Sequence, residues 1–252
     1  MYKSHPDTLF IGQKINYLPS CHSTNDIVAM YLREDEPEGL VVITDEQTAG
    51  RGQRGNQWLA RKGENLTFST LLRPTFLRTD EQFQLSRAVS LAVYDLLSQY
   101  CPVKIKWPND LYYNDKKLGG ILIENTLMGS TITGSVIGIG LNINQSALEV
   151  PTATSLHQIT GRYYALESLL MQFCQYLEGR YMQLRKEGDD RQRQEYLDYL
   201  YRYQEWHPYR DAKGQLFHAL LTDVADNGQL MLQKADATFQ YFDIKEVSFV
   251  IS

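Results

Sequence analysis

A chain of 252 residues with 43% hydrophobic and 12% aromatic residues can bury a full core, and its length fits one large domain or one domain with a small appendage. Its formal net charge of -5 and pI near 5.6 exclude a global basic face of the kind nucleic-acid binding requires, while leaving room for a local cationic pocket. Cys21, Cys101 and Cys174 lie far apart without C-x-x-C or a His-containing ligand spacing, which argues against a disulfide framework and against structural zinc. The N-terminal MYKSHPDTLFIG has no apolar core of signal-peptide length, and no run approaches the ~18 apolar residues of a membrane span, so the expectation is a soluble, cytoplasmic protein.

Taken in chain order, Ser23-Thr24-Asn25-Asp26 before Ile27-Val28-Ala29 reads as a helix N-cap, which does not exclude a ligand at the same helix start. Gly39 to Thr44 is a short Val- and Ile-rich run, the mark of a buried strand. Next comes Gly50-Arg-Gly-Gln-Arg-Gly55, which satisfies G-x-G-x-x-G letter for letter. A dinucleotide fold would need a helix to open at the third glycine and an acidic residue ~20 positions on. Neither is present: Asn56 to Gly63 has no helical period, and no carboxylate lies around Thr70. The glycines instead free backbone N–H groups to converge on an anion, with Arg51 and Arg54 adding planar donors suited to phosphate or carboxylate.

Thr79-Asp80-Glu81-Gln82 has capping-box spacing, and Phe83, Val89, Val93, Leu96 and Leu97 follow on one stripe, predicting a helix from Asp80 to Gln99. Val103 to Trp107 is a second short strand, ending in Lys106-Trp107-Pro108-Asn109-Asp110, where Pro108 holds the preceding residue extended so that side chains project from a strand end in a fixed way. Leu111 to Tyr113, an Asn114-Asp115 corner and Leu118 to Glu124 read as a hairpin, with Lys117 at the start of the return strand and two glycines behind it. A turn at Met128-Gly129-Ser130 leads into a strand from Thr131 to Asn142. Gln145 to Gly161 lacks periodicity and holds Pro151, so it is expected to be a loop that orders on binding a ligand. Helical spacing returns from Leu166 to Leu184 and, after Gly188-Asp189-Asp190, through Leu197, Leu200 and Tyr203. From Trp206 onward short alternating runs with turns at Lys213-Gly214 and Asp226-Asn227-Gly228 predict a small all-β domain, dividing the chain at 1–205 and 206–252.

Ser23-Thr24-Asn25, Gln47-Thr-Ala-Gly-Arg-Gly-Gln-Arg-Gly55, Lys106-Trp-Pro-Asn-Asp110 with Lys117-Leu-Gly-Gly120, and Gly138-Ile-Gly-Leu-Asn-Ile-Asn144 together resemble biotin protein ligases, in order and in separation. The resemblance runs from about Ile15 to the end, more loosely over the C-terminal β region. It implies an α+β fold: a mixed sheet with helices related to class II aminoacyl-tRNA synthetases, followed by an SH3-like barrel. It also implies activation of biotin by ATP and Mg²⁺ as biotinyl-5′-AMP, then transfer to one lysine of a biotin carboxyl carrier protein or domain of a carboxylase.

By the same resemblance Ser23, Thr24 and Gln47 bind the ureido ring, Asn25 belongs to the biotin site, and Arg51, Gly52 and Gln53 close over biotin and the phosphate. Lys117 is the catalytic cation bridging the biotin carboxyl and the α-phosphate, with Arg51 beside it. Gly50, Arg54, Trp58, Lys106, Asn109 and Asn142 frame the nucleotide, and Asp110 orders either a magnesium-bound water or the hairpin itself. Three departures stand out. Gln53 and Asn56 replace arginines common in relatives, which weakens phosphate contact and predicts faster loss of the adenylate. The stretch from Met1 to Lys14 is too short for a winged helix-turn-helix, predicting no operator binding. Asp243-Ile-Lys-Glu246 lacks the glycine expected before the glutamate. A lipoate or octanoate transferase would share the fold, but the Gly-Arg loop with Lys-Trp-Pro-Asn-Asp favours biotin. A biotin sensor or scaffold without turnover is disfavoured by retention of Lys117 and Arg51, and homodimerisation through an exposed strand edge is left open.

Overall fold

The computed structural model describes residues 4–251, apart from the side chain of Arg54. Seven strands form the main sheet: β1 (Ile15–Leu18), β2 (Val41–Thr44), β3 (Leu66–Leu72), β4 (Lys104–Lys106), β5 (Asp110–Tyr113), β6 (Lys116–Met128) and β7 (Thr131–Leu141). Their spatial order is β1-β2-β3-β7-β6-β5-β4, with β1 and β2 parallel and every other pair antiparallel. No parallel βαβ unit follows the glycine loop, which agrees with rejecting the dinucleotide reading. Among the described residues five α-helices accompany the sheets: α1 (Thr24–Arg33), α2 (Gln82–Leu97), α3 (Leu156–Thr160), α4 (Leu166–Glu187) and α5 (Asp190–Asp198).

Strand residues alternate between the faces of the sheet, and the two faces do different work. Val41, Ile43, Leu66, Phe68, Ile137, Ile139 and Leu141 join the large core beneath α2 and α4. On the other face Leu40, Val42, Leu71 and Val136 meet Val28 of α1 in a smaller core. Further along that second face the side chains shrink to Thr67 and Ser69 on β3 and Gly138 and Gly140 on β7. A strand surface that stops filling its own face leaves a hollow, and the site lies there.

The C-terminal strands β8 (Trp206–Asp211), β9 (Leu216–Val224), β10 (Leu230–Lys234), β11 (Phe239–Phe242) and β12 (Val247–Phe249) form an antiparallel sheet in the order β11-β10-β9-β8-β12, which fits the expected SH3-like domain. Its apolar residues Tyr209, Leu221, Leu230 and Leu232 continue the large core, so the two sheets share one interior. Arg87, a wholly buried arginine of α2, pairs with Asp189 and donates to Val224 O and Ala225 O at 3.1 Å each. It ties α2 to the turn between β9 and β10.

Two expectations need correction. The cap before α2 sits one residue early: Glu81 Oε2 accepts the Arg78 N–H at 2.8 Å, while the Thr79 N–H is drawn away to Ser130 O. The stretch Gln145 to Gly161 is not loop throughout, because Ser155 Oγ accepts the Gln158 N–H and starts α3, which ends on Gly161 at φ 72°. A five-residue helix is too short to show a period in sequence.

Candidate functional site

Ser23 occupies the N-cap position of α1 but makes no capping hydrogen bond. The Gln47 side chain replaces it, with Oε1 accepting the Thr24 N–H at 2.8 Å and the Thr24 hydroxyl at 3.2 Å. From there a chain of polar contacts, buried at Ser69 and partly exposed at Glu124, crosses the hollow face. The Thr24 and Ser69 hydroxyls lie 2.6 Å apart, Ser69 Oγ donates to Asn25 Oδ1 at 2.6 Å, and Asn25 Nδ2 donates to Glu124 Oε2 at 2.7 Å. Such a connected network fixes each amide and hydroxyl in one orientation. Close approach explains the glycines beneath it: a Cβ on Gly138 would run into Asn25, and one on Gly140 into the Trp58 ring.

The glycine loop folds back on itself through Gly52 N–H to Asn56 O at 2.7 Å and Trp58 N–H to Gly50 O at 2.9 Å, with a single 3₁₀ turn over Gln53–Gly55. This places Arg51 over the start of α1. Its guanidinium grips Glu124 bidentately, Nη1 to Oε1 at 3.1 Å and Nη2 to Oε2 at 3.0 Å, and reaches Asp26 Oδ1 at 2.7 Å. At the other end Lys117 Nζ stands 2.6 Å from Asp110 Oδ1 and 5.9 Å from the centre of the Trp58 ring. Trp58 Nε1 is buried with no hydrogen-bond partner among the described residues.

Two adjoining cavities result. The narrower, about 440 Å³ and partly open to solvent, lies over Gly138 and Gly140 and gathers Ser23, Thr24, Asn25 and Gln47 with Arg51, Gly52, Gln53, Asn109 and Lys117. The second, about 1510 Å³ with the space open to solvent included, runs between the glycine loop and residues 148–153 and takes in Gly50 and Asn142. Gln47, Trp58 and Lys117 belong to both and form the wall between them. The far side is strapped to the hairpin, since the Lys117 N–H donates to Thr152 O and the Thr154 N–H to Lys117 O, both at 2.8 Å. Asn142 holds the same strap through Nδ2 to Thr154 O at 3.0 Å.

Of the expected residues, Lys106 is not brought to either cavity. Its ammonium packs 5.0 Å from the Tyr112 ring centre and 4.8 Å from that of Phe249, and burial pushes its pKa down. The Arg54 side chain lies outside the described residues. Asp110 pairs with Lys117, and no cluster of three metal-ligating side chains occurs among the described residues. Ser69 and Glu124 were missed. The alternation Gly138-Ile139-Gly140 against Thr67-Phe68-Ser69 was the available signal for a hollowed face, and Ser69 could have been found from it.

A family model described as the biotin/lipoate A/B protein ligase family matches residues 17–142, half the chain, and takes in the site residues from Ser23 to Asn142 but not the strap at 148–154. The chain belongs to that family. Among curated proteins, the bifunctional ligase/repressor BirA of Bacillus spizizenii is 32% identical over 180 residues, 69% of this chain and 55% of the relative. Biotin–protein ligase 1, chloroplastic, of Arabidopsis thaliana is 40% identical over 139 residues, 53% of this chain and 37% of the relative. The chain thus spans about half the length, or less, of these relatives. Among solved structures, a biotin protein ligase from Aquifex aeolicus in complex with biotin and ATP aligns with a TM-score of 0.79 at 23% identity, covering 95% of this chain and 100% of that one, and so shares the fold.

Proposed function

We propose that this chain is a biotin–[biotin carboxyl carrier protein] ligase. It joins biotin to ATP as biotinyl-5′-AMP with release of pyrophosphate, then transfers biotin to a lysine of a carrier domain. The observation that carries this reading is the wall of Gln47, Trp58 and Lys117 common to a larger cleft and a narrow pocket whose lining pairs neutral hydroxyl and amide groups with the cations Arg51 and Lys117. A cyclic urea offers N–H donors and one carbonyl acceptor, matching hydroxyl and amide groups at Ser23, Thr24, Asn25 and Gln47. The carboxyl end of that ligand would reach Lys117, where the α-phosphate of a nucleotide in the larger cleft would meet it. A preorganised cation there stabilises charge that builds up as the two anions join.

Arg51 would shift from Glu124 and Asp26 towards the phosphate, with the Gly52 and Gln53 backbone closing behind it. The indole of Trp58, with Gly50, Asn109 and Asn142, would frame the nucleotide. Magnesium would enter with ATP, whose phosphates and waters supply most of its ligands, and Asp110 is the carboxylate beside Lys117 able to hold one such water. The same reading divides the chain into a ligase domain, 1–205, and a small β domain, 206–252. No helix among the described residues is long and apolar enough to cross a membrane, and the reading puts the protein in the cytoplasm beside its carrier. The test is biotin-dependent ATP–pyrophosphate exchange on the purified protein, with lipoate as control. Exchange with biotin alone, lost in Lys117→Ala, is expected; tight biotin binding without exchange would refute turnover, and exchange driven by lipoate would refute the substrate.

A further inference from the structure

A third cleft adjoins the narrow pocket and shares Gln53, Asn109 and Ile121 with it. One side is the main sheet and α2, including Ser86 and Asn125; the other is the C-terminal sheet, through Asn227 in the β9–β10 turn and Asp243 just after β11. That second side is anchored. Trp107 Nε1 donates to Gly228 O at 2.9 Å, and Arg87 grips the carbonyls of Val224 and Ala225. The cleft therefore has two firm walls.

Its chemistry is one-sided. Among the described residues the lining consists of amides, hydroxyls and apolar groups with a single charge, the Asp243 carboxylate, and no Lys, Arg or His. A phosphate would find no counter-charge there and would face a carboxylate, whereas a cation would be attracted. Under the proposed function the pocket and the nucleotide cleft are both filled by the activated intermediate. An amine must still reach its carbonyl carbon from a third direction.

We infer that this cleft admits the acceptor lysine side chain, with Asp243 at its mouth drawing the ammonium towards the wall shared with the pocket. The inference rests on the ligase reading. The lysine arrives protonated, with a pKa of about 10.4. It releases one proton to solvent, its nitrogen lone pair forms the C–N bond, and the bond from the carbonyl carbon to the phosphate oxygen breaks. AMP leaves with that electron pair, and the second proton follows the first into solvent. Asp243 touches none of the reacting atoms; it is a positioning residue. Being exposed, it acts by raising the local concentration of a cation, an effect of about tenfold that salt screens.

The experiment uses the whole protein carrying preformed biotinyl-AMP, chased in a single turnover with either Nα-acetyl-lysine amide, a cation at neutral pH, or hydroxylamine, which is largely neutral. Asp243→Asn is expected to slow capture by the lysine amide about tenfold at low salt, with the deficit shrinking at high salt, while hydroxylamine capture is unchanged. Asp243→Glu is expected to restore the rate. Equal slowing of both amines, or slowing of neither, overturns the inference alone. Absence of biotin-dependent pyrophosphate exchange in the unaltered protein overturns the ligase reading and this inference with it.

Discussion

Removing Lys117 should do more harm than the loss of one cation, because the cation is already holding a carboxylate in check. Lys117 Nζ lies 2.6 Å from Asp110 Oδ1, with the two side chains 33% and 17% exposed. Lys117→Ala deletes a preorganised donor, a change that costs roughly 10²–10³ in rate. On the proposed reading it also leaves Asp110 bare beside the α-phosphate. A phosphate seated against the Nζ position would stand about 5 Å from that carboxylate, a repulsion of about 3 kcal/mol at an effective dielectric of 20. Partial exposure brings this to about 1–2 kcal/mol, or about 5- to 30-fold. The double variant Lys117→Ala/Asp110→Asn is therefore expected to recover about that factor over Lys117→Ala in pyrophosphate exchange. A double variant no faster than the single one would refute the reasoning and favour Asp110 as a holder of a magnesium-bound water.

Three other outcomes are expected. Arg87→Met should lower stability by about 3–5 kcal/mol, since it strands the buried Asp189 carboxylate; a shift of the urea midpoint equivalent to less than 1 kcal/mol would count against Arg87 as the tie between α2 and the β9–β10 turn. Burial pushes the Cys101 thiol up to about 11 and the Cys174 thiol up to about 12, from an ordinary 9.0. Their folded pKa values are raised, so the stability they confer is full below pH 9 and fades as pH climbs through the folded values. By pH 11 the loss from Cys174 is on the order of 3 kcal/mol, and Cys174→Ala should flatten urea stability between pH 9 and 11. Gln53→Arg should slow dissociation of biotinyl-AMP by restoring a phosphate contact, and equal dissociation rates would remove Gln53 from that role.

Much of this site could be read from the chain because its parts are local. The glycine loop, the Lys-Trp-Pro-Asn-Asp strand end and the hairpin carrying Lys117 each state their geometry within a dozen residues, through turn formers and short apolar runs. Glu124 could not be read this way. It is one of several polar residues on a long strand, and its partners Asn25 and Arg51 lie 99 and 73 positions away. Ser69 meets Thr24 and Asn25 only after β3 and α1 have packed. Lys106 is the opposite case. Its motif suggests a ligand, but its ammonium packs against Tyr112 and Phe249, the latter a residue of a separate sheet that the local sequence cannot place.

The two cations that the proposed function assigns to catalysis are both paired before any substrate arrives, Lys117 with Asp110 and Arg51 with Glu124 and Asp26. Stray anions must therefore displace a carboxylate to gain a cation, and monovalent anions of low charge density would gain little from doing so. A nucleotide brings several negative oxygens at once and can exchange partners with both cations. The Glu124 carboxylate released by Arg51 is not left bare, because Asn25 Nδ2 already donates to it at 2.7 Å. The hydrogen-bond network across the hollow face thus links the neutral-ligand groups to the charge exchange: a ligand that reorients Asn25 alters how well Glu124 can spare Arg51. Under the proposed ligase function, ordered addition, with the uncharged ring of biotin seated before the nucleotide draws on Arg51, is the expected consequence of that connection.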